Sequence, residues 1–261
     1  VAMIPARYAA SRFPGKLMKM LGDKSVIRRT YDNTVATGLF DEVWVVTDSD
    51  IIYDEITAHG GSALMSTKEH ECGSDRIADA AAQMDIDIIV NVQGDTPFVE
   101  RKPLQQLIEL FNDDTVEVAS MMRPLKEKEL IQNPNIVKVV TSLNMNSLLF
   151  SRNPIPYPRN ESIPVVHYEH IGIYAFRKQA LLKFTKWPVT PLEDAEKIEC
   201  LRFLEHGVPL RMTIVDYKGV GIDTPEDLKR AVEEKDKKES YDFFKERVRF
   251  FLFDDEKIEV L

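Results

Sequence analysis

The stretch Ile86–Asp95 reads "IDIIVNVQGD". Its apolar run is continuous rather than alternating, the pattern of a strand covered on both faces, as in a parallel sheet. It ends abruptly at Gln93-Gly94-Asp95, a Gly-Asp pair of the kind common in turns. Ligands of parallel sheets bind outside the carboxyl ends of the strands. A carboxylate such as Asp95, placed just after a buried parallel strand, stands where Mg²⁺ often bridges protein and phosphates.

Outward from this strand the chain alternates. Further strands are predicted at Val1–Ile4, Val43–Thr47, Val116–Met122, Val137–Thr141, His170–Phe176 and Leu210–Val215, with the quoted strand at Ile86–Val92. Helices are predicted over Ser25–Ala36, Ile51–His59, Asp75–Met84 and Pro103–Phe111. Strands separated by helices of about three turns make right-handed βαβ units, hence an α/β fold with a mainly parallel sheet. The second half is less regular: "VVTSLNMNSLLFSR" predicts a hairpin turning at Asn144–Asn146, and "NPIPYPRN" has too many prolines for regular structure. That region is expected to be an insertion, spanning about 123–176, that covers the sheet edge.

Composition bounds the function. The chain has 261 residues, of which 44% are hydrophobic, enough for one large domain or one domain with an appendage. A net charge of −9 argues against non-specific nucleic-acid binding, which draws its affinity from phosphate neutralisation. No apolar run approaches the roughly 18 residues of a membrane span, and no secretory signal is visible, although the missing initiator Met suggests trimming. Cys72 and Cys200 are isolated, without metal-ligand spacing, which fits a reducing, cytoplasmic setting. The domain is expected to span 1–233. Beyond it come the charged run "EEKDKKES" (Glu233–Ser240), read as a solvated linker, and an apolar tail containing Phe250–Phe253.

The other strand ends add polar chemistry. After the first strand, "IPARYAASRFPGK" (Ile4–Lys16) carries Arg7, Arg12 and Lys16 with no acidic residue. Cations so spaced repel one another unless an anion sits among them, and in an acidic protein such a loop is a local device. In "ECGSDRIAD", Gly73 and Ser74 open a helix with Arg76 in its first turn; backbone N–H groups, a hydroxyl and an Arg suit an anion or a base edge, while simple capping by Ser74 explains it equally well. In "GVGIDTPEDLKR", Asp223 is read as ending a short apolar strand, with Thr224 and Asp227 capping the helix Pro225–Glu233. Two strand-end carboxylates beside a cationic loop favour metal-assisted nucleotidyl transfer over a bland α/β domain.

These motifs, taken together with Phe150-Ser151-Arg152, His170-Ile171-Gly172-Ile173-Tyr174 and Pro191-Leu192-Glu193, resemble the 3-deoxy-manno-octulosonate (Kdo) cytidylyltransferases across roughly Val1–Glu233. The resemblance implies a Rossmann-like fold with flanking helices and a smaller mixed lid or dimerisation sheet. It also implies transfer of CMP from CTP to the C2 hydroxyl of a 3-deoxy-2-ulosonic acid, with release of pyrophosphate, for lipopolysaccharide or capsule synthesis. Pro5, Ala6, Arg7, Ser11, Arg12, Lys16, Gly73, Ser74, Arg76 and Gln93 fall at its nucleotide positions, with Arg12 and Lys16 on the triphosphate. Asp95 and Asp223 fall at its Mg²⁺ positions, so that Arg12, Lys16, Asp95 and Asp223 form the catalytic set. Arg152, His170, Tyr174 and Glu199 fall at its sugar positions. Glu199 is placed on a helix, facing its apolar side with Leu192 and Phe203. Cys200 stands where the family often carries Gln, which leaves an amino-substituted octulosonate or a nine-carbon ulosonate such as Kdn as alternatives, beside a catalytically silent nucleotide-binding regulator. Relatives suggest a homodimer, with the tail packed on folded protein; "RVRFFLFDD" also resembles the first strand of haloacid-dehalogenase phosphatases, although Asp254-Asp255-Glu256 breaks their pattern.

Overall fold

The run Ala2–Ala6 forms strand β1, every residue buried or nearly so, because it lies between two parallel neighbours: β4 (Val43–Thr47) and β6 (Ile88–Asn91). The computed structural model describes residues 1–9, 13–70, 72–160, 162–217, 219 and 221–236. Ser11, Arg12, the phosphatase-like stretch and the tail beyond 236 therefore lie outside the described residues.

In chain order the remaining elements are β2 (Met20–Leu21), β3 (Lys24–Ser25), α1 (Val26–Ala36), α2 (Asp50–Thr57), β5 (Ala63–Met65), α3 (Gly73–Ala81), α4 (Arg101–Glu109), β7 (Val118–Leu125), α5 (Lys128–Gln132), β8 (Lys138–Thr141), β9 (Ser147–Ser151), β10 (His167–Arg177), α6 (Lys178–Phe184), α7 (Pro191–Glu196), α8 (Leu201–Glu205) and β11 (Leu210–Ile214). A last helical stretch covers 225–236, so the first residues of the charged run continue a helix instead of starting a linker. The main sheet has the order β11-β7-β10-β6-β1-β4-β5. Along that path only β10 runs against the others.

The sheet divides the core in two. Alternate residues of β1 show why: Ala2 and Ile4 join a cluster with Ile27 of α1, Ile56 of α2 and Leu107 of α4, whereas Met3 joins Ile77 of α3, Phe184 of α6 and Phe203 of α8. Successive strand side chains point to opposite faces, so a strand buried on both must be apolar throughout.

Two expectations need correction. The segment 123–176 does not simply cover an edge, since β10 inserts into the centre of the sheet between β6 and β7. Its stretch Ile171–Phe176, buried at every position but Gly172, is that of an internal strand. The predicted hairpin is present as β8–β9, turning through Met145 at φ 62° and extending antiparallel from the near end of β10. The Pro-rich stretch has no regular structure and contains a cis Ile155–Pro156 bond. The second correction concerns Asp223, which lies in irregular chain and not at a strand end. One backbone bond, from Ile222 N–H to the Asp95 carbonyl (2.9 Å), brings that chain to the turn after β6.

Candidate active site

Because β1, β4 and β6 are parallel, Arg7, Asp48 and the Gln93-Gly94-Asp95 turn emerge along one border of the sheet. Gly94 favours this close approach: a Cβ there would lie 3.1 Å from the Pro5 carbonyl and 3.3 Å from Ile27, tighter than most Cβ contacts. Gly15, in the left-handed region at φ 66°, reverses the first loop and starts a single 3₁₀ turn, Lys16–Met18, that carries Lys16 inward.

Lys16 Nζ then sits between two carboxylates, 2.5 Å from Asp95 Oδ2 and 2.9 Å from Asp223 Oδ1. Burial opposes the charge on Lys16, but Asp95 and Asp223 outweigh it and hold its pKa above the ordinary value. Asp223 is fixed through a reciprocal cap: Asp227 Oδ2 accepts from the Asp223 and Thr224 N–H groups, while Thr224 Oγ1 accepts from Asp227 N–H. The capping roles read for Thr224 and Asp227 are thus the ones present.

The three charged groups face a cleft of about 360 Å³ that is also lined by Pro5, Ala6, Arg7, Gly73, Arg76 and Gln93. Arg76 is buried, with Nη2 2.5 Å from Asp48 Oδ2 and Nη1 without a hydrogen-bond partner. A buried donor left unpaired is costly and is expected to be completed by a ligand. Asp48, which orients Arg76, was not singled out as a site residue from sequence.

A second cavity, of about 770 Å³, adjoins the first and shares Arg7, Gly73, Gln93 and Asp223 with it. His170, Tyr174 and Glu199 line it together with Cys72 and the chain 135–137. His170 is buried beside Phe150 and Tyr174, its Nε2 3.0 Å from Ser120 Oγ, and burial pulls its pKa down to about 3. The ring is therefore neutral at physiological pH. Burial likewise pushes the Tyr174 hydroxyl well above its ordinary pKa.

Glu199 does not lie on a helix: Lys197, at φ 52°, ends α7, and Glu199 occupies the link to α8. The expected orientation nevertheless holds by another route, since Ser74 Oγ donates to Glu199 Oε1 at 2.7 Å. Burial raises the Glu199 pKa, with Ser74 and Cys72 partly offsetting it. Ser74 is accordingly not the helix cap; Cys72 holds that position, and the Ser74 hydroxyl is engaged elsewhere.

Arg152 is not brought to the cavity. Its guanidinium donates to the carbonyls of Glu196 (2.6 Å) and Pro134 (2.9 Å). Buried Lys138, which sequence reading passed over, joins it by donating to the carbonyls of Asn133, Ile136 and Arg152. Between them the two cations tie down the loop behind the cavity wall at 135–137.

A mainly parallel sheet bordered by a lysine set between two carboxylates, in a cleft with a neighbouring polar cavity, is the architecture of a nucleotide-using α/β transferase. The profile of the cytidylyltransferase family matches residues 1–214. The chain is 56% identical over 234 residues to the 3-deoxy-manno-octulosonate cytidylyltransferase of Christiangramia forsetii, covering 88% of this chain and 94% of that one, and 55% identical to its counterpart in Flavobacterium johnsoniae, covering 88% and 96%. Among solved structures, a CMP:2-keto-3-deoxy-manno-octonic acid synthetase complexed with CTP superposes with a TM-score of 0.87 at 34% identity, covering 91% of this chain and 98% of that one. A 4-diphosphocytidyl-2C-methyl-D-erythritol synthase from Anaerococcus prevotii shares the fold at a TM-score of 0.60 and 16% identity. The chain belongs to the 3-deoxy-manno-octulosonate cytidylyltransferase family.

Proposed function

We propose that this chain transfers CMP from CTP to the anomeric C2 hydroxyl of a 3-deoxy-2-ulosonic acid, Kdo first among them, and releases pyrophosphate. The observation that carries this reading is the placement of Lys16, Asp95 and Asp223 together in the cleft, with Asp223 also lining the larger cavity beside it. The family's relatives bear the Kdo name at more than half identity, and a structure bound to CTP shares the fold.

The cleft is read as the CTP site, with Gln93 and the Arg76 guanidinium on the base and ribose. The larger cavity is read as the ulosonate site, in which neutral His170, the Tyr174 hydroxyl and Glu199 meet sugar hydroxyls. In this arrangement the C2 oxygen attacks the α-phosphorus in line. The new C2–O–P bond forms as the bond to the bridging oxygen of the β-phosphate breaks, and the Lys16 ammonium stabilises the departing pyrophosphate. Positioning and charge neutralisation supply the rate.

Asp95 and Asp223 are the residues to hold Mg²⁺. Both reach one cationic atom, Lys16 Nζ, so a single ion is within reach of both. Among the described residues no cluster of three or more His, Cys, Asp or Glu could hold a metal, which suits Mg²⁺, an ion usually bound by one or two carboxylates plus substrate phosphates. Bound there, it would neutralise phosphate charge and lower the pKa of the attacking hydroxyl.

The same reading makes the protein a cytoplasmic homodimer that activates sugar for surface polysaccharide. No described helix is long and apolar enough to cross a membrane, and both cysteines are free thiols. Pyrophosphate release from CTP, assayed with Mg²⁺ and a panel of Kdo, its amino analogue and Kdn, tests the function. Turnover with Kdo is expected; no release with any of them would sink it.

A further inference from the structure

Asn91 is the one polar residue within β6, at the register position opposite Tyr174, and it is fully buried. A carboxamide in a two-sided apolar sheet is costly unless its hydrogen bonds are made. Both ends are used. Gln93 Nε2 donates to Asn91 Oδ1 at 3.1 Å, and Asn91 Nδ2 donates to Ser74 Oγ at 3.4 Å. Ser74, 1% exposed, gives its own proton to Glu199 Oε1 at 2.7 Å. The donors thus run in one direction, Gln93 to Asn91 to Ser74 to Glu199, from a residue that borders both cavities to a carboxyl of the ulosonate cavity.

Neither Asn91 nor Ser74 lines the nucleotide cleft or the ulosonate cavity. Their polar atoms therefore serve other residues. With Oε1 held from behind by Ser74 and the link between α7 and α8 free of helical constraint, the Ser74 hydroxyl fixes the plane of the Glu199 carboxyl. Glu199 itself lines the ulosonate cavity.

We propose that Ser74, supported by Asn91, is a positioning residue for the ulosonic acid: it acts on the sugar through Glu199 and not on CTP. This rests on the reading of the larger cavity as the ulosonate site. A hydrogen bond to a charged group contributes enough that its loss should raise the KM for the ulosonic acid about tenfold or more. The KM for CTP should stay within about twofold, because the cleft-lining groups are untouched.

The test is a double-mutant cycle with Kdo as the probe, measuring both KM values, kcat and Tm for S74A, S74T, Glu199→Gln and the S74A/Glu199→Gln double variant. The expected result is a raised Kdo KM for S74A, recovery towards wild type in S74T, which keeps the hydroxyl, and no added effect of S74A once Glu199 is altered. A rise in the CTP KM for S74A with the Kdo KM unchanged overturns the proposal, as do additive effects of the two substitutions. If S74A loses stability, S74T decides: a stably folded S74T with the S74A kinetic defect assigns the effect to volume and overturns the proposal. Glu199→Gln without effect on the Kdo KM removes the sugar reading itself and the proposal with it. The separate readouts show which of the two has failed.

Discussion

Lys16 Nζ stands 2.5 Å from Asp95 Oδ2, and both side chains line the same cleft. The pairing with Asp95 and Asp223 keeps the Lys16 ammonium charged despite its burial, since opposite charges within a few ångströms favour the ionised form. For Lys16→Ala we expect kcat to fall on the order of 10²-fold or more, the range for removing a preorganised charge from a transition state. Some loss of melting temperature is expected as well, since the raised Lys16 pKa means its pairing with Asp95 and Asp223 stabilises the fold, but the protein should remain folded. Loss of activity only by unfolding would return Lys16 to a structural role.

Asp95→Asn and Asp223→Asn should each lower turnover by about 10²-fold or more while CTP still binds through Gln93 and Arg76. Calorimetric titration with CTP and a Mg²⁺ dependence of rate check this. Near-normal rates at saturating Mg²⁺ in either variant would remove the metal assignment.

His170 gives a pH signature in stability. Its folded pKa of about 3 lies below the ordinary 6.5, so the unfolded chain binds more protons between those values. Stability from this group is complete above about pH 6.5 and is lost as pH falls towards 3. Between pH 7 and pH 5 the loss amounts to about 2 kcal/mol. Denaturant unfolding of wild type and His170→Gln at the two pH values should show the wild type losing more, by roughly that amount. Equal losses would mean that the ring is not held neutral.

Much of this was legible in the sequence, for physical reasons. β4 has the bounds its apolar run predicts, and the turn after β6 presents Asp95, because a doubly covered strand has a pattern that little else produces. Lys16 and Asp223, far apart in the chain, were both picked out by the chemistry around them. The links between residues were not legible. Asp48 supports Arg76, Ser74 supports Glu199 and Lys138 holds three carbonyls, and each such pairing depends on tertiary proximity that no local pattern records. Asn91 did carry a signal, a lone carboxamide in an apolar strand. Arg152 looked like an anion partner by type, yet its donors are engaged by backbone carbonyls.

Glu193 and Arg202 form a buried, two-bond pair, with Nε–Oε2 at 2.7 Å and Nη2–Oε1 at 2.6 Å, and the guanidinium also stacks on Phe184 at 4.1 Å. Glu193 is held by the capping box with Thr190 that starts α7. Removing the carboxylate leaves a buried cation unpaired, at a cost of about 3 kcal/mol. Glu193→Ala should therefore unfold at markedly lower denaturant concentration. A change under about 1 kcal/mol would mean that water replaces the carboxylate there.

Assembly is the last expectation. Leu148 on β9 is 62% exposed and Ile163 59%, while Tyr157 in the Pro-rich stretch and Leu143 at the hairpin tip are exposed more fully. We expect these exposed apolar side chains of the hairpin and its following loop to form an interaction surface, since a contiguous apolar patch is seldom left to water in a monomer. A homodimer closed through this face buries the same patch from both subunits, since a two-fold interface is self-complementary. The combined variant Leu148→Glu, Ile163→Glu places like charges against each other at such an interface and should turn the dimer into a monomer by light scattering at micromolar concentration. A wild-type monomer under those conditions would sink the idea, and an intact dimer in the variant would move the interface elsewhere.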